Sequence, residues 1–162
     1  MFKWILALAI AASTPALSQA ATFSVGEGGK VSVDIPDDWS PQEYDGGVQA
    51  ESEAGTYITV EGMKAADIGE AVKASIEDLA KQGLVINEGS QQQQEGLKIN
   101  GMDCAAFAFD GTYQEKQSGV LMFFCASDAD HAAVLTSWFD GDSDKADGKD
   151  YQAILDSLKP VN

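Results

Sequence analysis

Arginine is absent from this chain and histidine nearly so: all ten basic residues are lysine, and His131 is the single imidazole. Against them stand 26 acidic residues, giving a formal net charge of −16. So acidic a chain repels phosphate backbones and anionic lipid heads, which excludes nucleic acid and membrane surfaces as expected partners. The plain consequence of the charge is a protein kept soluble and monomeric. The sharper one is attraction for cations or for a basic protein. Cysteine is also scarce. Cys104 and Cys125 belong to no C-x-x-C motif, and two thiols with one distant histidine make a poor zinc site. Long apolar runs are missing after residue 12, so no membrane span is expected. A Ser–His–Asp triad would have to use His131, and no G-x-S-x-G elbow accompanies it.

What is present begins with an export pattern. Lys3 is a short positive region, Trp4 to Ala12 is an apolar run, and Pro15 follows. Ser18 and Ala20 put small residues at −3 and −1 of a cleavage site. Residues 1–20 therefore read as a cleaved signal peptide, and 21–162 as one globular domain in the periplasm or beyond. Losing Lys3 takes the formal charge to −17. No cysteine stands near the cut, which argues against a lipid anchor. In an oxidising compartment a lone cysteine pair is expected to form a disulfide, with two buried thiols as the alternative. Folding 102–109 and 119–127 as a hairpin can place Cys104 opposite Cys125, close enough for a bridge.

Period-two alternation marks strands over 31–35, 48–52 and 56–63, and also over 102–109, 119–127 and 131–139. The last three are apolar on both faces and belong at the centre of a covered sheet. Ile68, Val72, Ile76 and Leu79 fall at helical spacing within 67–82, and Gly83 stands where a capping glycine belongs. A short helix is expected over 151–158, after an acidic loop at 140–150. The order of elements gives an α+β layered sandwich with a mostly antiparallel sheet.

Three stretches carry a resemblance: VSVDIPDDW (31–39), TYITV (56–60) leading into the helix, and the closing ILDSLKP (154–160). With these the chain resembles the Mog1/PsbP-like fold, and within it the DcrB-like and LpqN-like exported bacterial proteins. The resemblance implies a central antiparallel sheet flanked by helices on both faces. It implies partner-binding or accessory roles and carries over no functional residue.

The candidates for chemistry are few. GEGGK (26–30) lacks the spacing of a phosphate loop and reads as a hairpin turn. Asp140, Asp142 and Asp144 match positions 1, 3 and 5 of a calcium loop. Lys145 replaces the turn glycine, however, and Tyr151 replaces the closing glutamate. A solvated acidic turn explains the same residues. Trp39 and Trp138 have apolar neighbours and read as core, while Tyr113 is expected at the surface. The function expected is a non-enzymatic accessory or protein-binding domain. A calcium- or small-ligand-binding module using 140–150 is the alternative, and a hydrolase ranks last.

Overall fold

A computed structural model describes residues 19–26 and 29–161, without the side chains of Asp67 and Ile68. The expected signal peptide lies outside the described residues except for Gln19 and Ala20. Strands β1, Ala20–Val25, and β2, Val31–Pro36, form a hairpin with Val25 opposite Val31. A short 3-10 turn, Asp37–Trp39, ends β2 and buries Trp39. Strands β3, Gln42–Tyr44, and β4, Gly47–Glu51, make a second hairpin. Strand β5, Thr56–Lys64, then leads through a 3-10 turn into helix α1, Ile68–Lys81. Gly83 closes that helix at φ 99°, a left-handed conformation that glycine adopts without penalty. There follow β6, Val85–Ile86; β7, Gln92–Ile99; β8, Met102–Tyr113; β9, Lys116–Ala126; and β10, His131–Asp140. Helix α2, Ser143–Ser157, and the two-residue β11, Lys159–Pro160, complete the chain.

The strands form two antiparallel sheets. The larger runs β3-β4-β5-β10-β9-β8-β6, with β7 also paired to β8. The smaller is β1-β2-β11. The strands with two apolar faces, β8, β9 and β10, sit side by side in the larger sheet, as expected. Their alternation divides the core in two. Cys104, Ala106, Phe123, Cys125, Ala133 and Leu135 face one side, where Val33 and Ile35 of β2 and Ile154 and Leu155 of α2 meet them. Phe107, Phe109, Met122, Phe124, Val134 and Trp138 form a second cluster with Leu79, against which Val72 and Ile76 are packed.

Three expectations need correction. The α+β, mostly antiparallel character holds, but the sandwich with a helical cover on both faces does not. Only two helices occur among the described residues, and the cover over the first core is largely the β1-β2-β11 sheet, with α2 beside it. The N-terminal strands pair with each other and with β11, so their apolar face is left to lie across the larger sheet. Second, the acidic loop at 140–150 is mostly helix, because α2 starts at Ser143. Third, the connection between the expected strands 102–109 and 119–127 shrinks to two residues: Tyr113 faces Lys116, with Gln114 and Glu115 at φ 47° and 67° between them.

Candidate functional site

Antiparallel pairing brings the end of β5 to the start of β10, and there Lys64 and His131 are direct register partners. Side chains so paired share one face with Cβ atoms about 5 Å apart. The end of β1 crosses β5 close by, at Gly26, whose carbonyl accepts the Gly29 N–H at 2.9 Å. The crossing is possible only because two glycines meet. A Cβ added to Gly62 would lie 1.8 Å from the Gly26 Cα. This approach delivers Lys30 to the same place. The result is a cleft of about 500 Å3. Buried Val25 and Ala132 and half-buried Met63 give it apolar wall, and Lys30, Lys64, Asp130 and His131 give it polar groups.

His131 is fixed in orientation. Both carboxylate oxygens of Asp128 lie at 2.8 and 2.9 Å from Nδ1. A carboxylate only accepts, so Nδ1 carries the hydrogen and donates it, and Nε2 is left for another group. Asp128 Oδ1 also accepts the backbone N–H groups of Asp130 and His131. The Asp130 N–H, the imidazole and the His131 N–H together hold the Asp128 carboxyl below its ordinary range, against the opposing effect of desolvation. None of the described residues lining the cleft is a serine, threonine or cysteine. The neighbouring Ser127 hydroxyl donates instead to the His131 carbonyl. Among the described lining residues the imidazole therefore meets no side-chain nucleophile.

The other predicted residues fall elsewhere. Cys104 and Cys125 are register partners on β8 and β9 and are joined by a disulfide. Asp140 Oδ1 accepts from the Ser118 hydroxyl at 2.6 Å and from the Trp138 indole at 2.8 Å. Asp142 precedes α2 and pairs with Lys145 at 2.6 Å. Asp144 lies in the first turn of α2 with Oδ1 buried and without a hydrogen bond. Among the described residues no group of three or more His, Cys, Asp or Glu side chains is arranged to hold a metal ion. Trp39 and Trp138 are buried as expected. Tyr113 is not the exposed aromatic expected; it packs edge-on against Trp138 with ring centroids 4.8 Å apart. A second cleft, of about 360 Å3, gathers Asp38, Glu53, Asp147 and Asp150 beside Trp39. Its Asp147 is buried and accepts the Ser52 hydroxyl at 2.5 Å. Sequence reasoning singles out His131 but misses Lys30 and Lys64. The signal available is the antiparallel register of 56–64 on 131–139, which sets Lys64 against His131.

No family model matches the chain, and no curated protein matches it. Solved structures do. A protein of Bacteroides thetaiotaomicron aligns over 89% of this chain at 14% identity and a TM-score of 0.56. This chain spans about half of that protein, 49% of its length. LpqN of Mycobacterium tuberculosis, involved in cell envelope biogenesis, aligns over 89% of this chain and 91% of its own, at 14% identity and a TM-score of 0.53. At such identity the likeness is one of fold. Among the described residues, no helix is long and apolar enough to cross a membrane.

Proposed function

We propose that this chain is an exported, periplasmic accessory domain of the bacterial cell envelope, which acts by binding a protein partner and does no chemistry of its own. The observation that supports this reading best is the likeness to LpqN. It covers nearly all of both chains, so a whole domain architecture is shared with a protein of envelope biogenesis. The Cys104–Cys125 disulfide fits an oxidising compartment. A cleft with a fixed imidazole but no nucleophile fits a binding role. The reading includes cleavage after Ala20, a monomeric mature domain, and kinship with the Mog1/PsbP-like and DcrB-like proteins.

The test is capture from the native envelope fraction with the mature protein as bait. A partner recovered in stoichiometric amount is the expected result. Turnover of an ester, glycoside or peptide substrate that His131→Ala abolishes would overturn the reading. N-terminal sequencing of the exported protein should begin at Ala21. An intact N terminus in that fraction would remove the leader from the proposal.

A further inference from the structure

We infer that Asn100–Gly101, in the turn between β7 and β8, is a site of spontaneous covalent modification whose reaction makes release of the end of α2 permanent. Asn100 is one of three asparagines in the chain and the one that a glycine follows. Both residues are exposed, and both hold left-handed backbone, at φ 47° and 86°, as a two-residue hairpin turn requires. Ile99 and Met102 flank the turn as register partners. The asparagine side chain reaches out of its own hairpin. Its amide nitrogen donates to the Asp156 carbonyl at 2.6 Å and to the Leu158 carbonyl at 2.7 Å. Carbonyls only accept, so the nitrogen, and not the amide oxygen, must face them. Asp156 lies in the last turn of α2, where helix geometry leaves carbonyls without an intrahelical donor. One side chain thus clasps the larger sheet to the segment that runs from α2 into β11.

The chemistry of the pair makes this clasp perishable. The Gly101 backbone nitrogen attacks the Asn100 Cγ and closes a cyclic imide. The Cγ–Nδ2 bond breaks, and the amide nitrogen leaves as ammonia, taking the Gly101 N–H proton. Water then opens the ring to aspartate, or to isoaspartate, whose main chain runs through Cβ. The nitrogen that leaves is the one tied to α2, so ring closure waits until both hydrogen bonds open. Either product carries a carboxylate, which donates nothing and faces two carbonyls at the negative end of the helix. The clasp cannot re-form. What it held is the buried Leu158 and the pairing of Lys159 and Pro160 with β2.

Peptide mapping of the purified protein after incubation in mildly alkaline buffer tests the reaction. Trypsin, after reduction of the disulfide, releases residues 99–116. This peptide should gain the mass of an amide-to-acid exchange, located at Asn100 by fragmentation, while Asn87 stays unchanged. The same incubation in urea should convert Asn100 about tenfold faster, since the clasp is then open. Hydrogen exchange tests the consequence. The Val161 N–H donates to the Lys30 carbonyl at 2.9 Å, and in Asn100→Asp it should exchange about tenfold faster than in wild type. Asn100→Gly keeps the left-handed turn and removes only the donor, so its exchange should fall between the two. Absence of conversion in the folded protein overturns the inference. Equal rates with and without urea do so too, as does wild-type exchange at Val161 in Asn100→Gly, which decides the matter if Asn100→Asp does not fold.

Discussion

Gly62 is the residue on which the placing of the two sheets depends. Any side chain there meets the backbone of Gly26, which cannot rotate out of the way as a flexible side chain would. Gly62→Ala should therefore cost about 3 kcal/mol, near the upper end for overpacking, as read by urea denaturation. A loss under about 0.5 kcal/mol would mean that the crossing is looser than described. Asp128 offers a residue-scale test of the imidazole clamp. Its folded-state pKa is depressed from 3.8, so the stability it contributes is present above that value and is lost as pH falls through the lower, folded value. Wild type should lose stability between pH 5 and pH 2 more steeply than Asp128→Asn. Parallel pH profiles of the two proteins would show that the clamp does not form in solution. Lys64, opposite His131, and Asp128 are both in plain view in the sequence. What hides their relation is the pairing of strands some seventy residues apart.

Among the elements, the β8–β9 hairpin shows how far local patterning reaches. Alternation fixes which residues share a face, and a hairpin between two such strands sets Cys104 opposite Cys125 from the pattern alone. The turn itself is not legible. Gln114 and Glu115 both adopt left-handed backbone, which side chains other than glycine and asparagine resist, so neither residue announces a two-residue turn. Replacing the pair by Asn-Gly should stabilise the protein by about 1–2 kcal/mol. An unchanged denaturation midpoint would mean that the turn is not of this type. Helix α2 escapes sequence reading for a different reason. Its first two turns, from Ser143 to Asp150, present Ser143 and Asp147 inward rather than apolar side chains, so no helical stripe is visible there. That reassignment bears on the calcium pattern. Asp140 and Asp142 are engaged with Ser118, Trp138 and Lys145. Millimolar calcium should accordingly leave the melting temperature unmoved, whereas a site specific to the native state would raise it.

For the whole molecule, the disulfide is the one covalent tie between distant points of the chain, closing a loop across a sequence separation of 21. In the chain-entropy account a loop of that length contributes about 3 kcal/mol. The Cys104→Ala/Cys125→Ala variant should lose about that much by equilibrium denaturation while keeping the same far-ultraviolet circular dichroism. Loss of the fold itself would mean that the bridge does more than restrain the unfolded chain. Composition and alternation alone determined the acidic balance, the α+β class, the strands with two apolar faces at the centre of the larger sheet, and the cysteine pairing. These are local matters: period and hydropathy are written residue by residue, and a hairpin joins near neighbours. Only the tertiary structure decided that β1, β2 and β11 form a sheet of their own, that α2 begins eight residues before the expected start, and that Lys30, Lys64 and His131 share one cleft. Each of these rests on contacts between segments far apart in the chain, where the choice among partners is made by packing the whole core rather than by any single stretch of sequence.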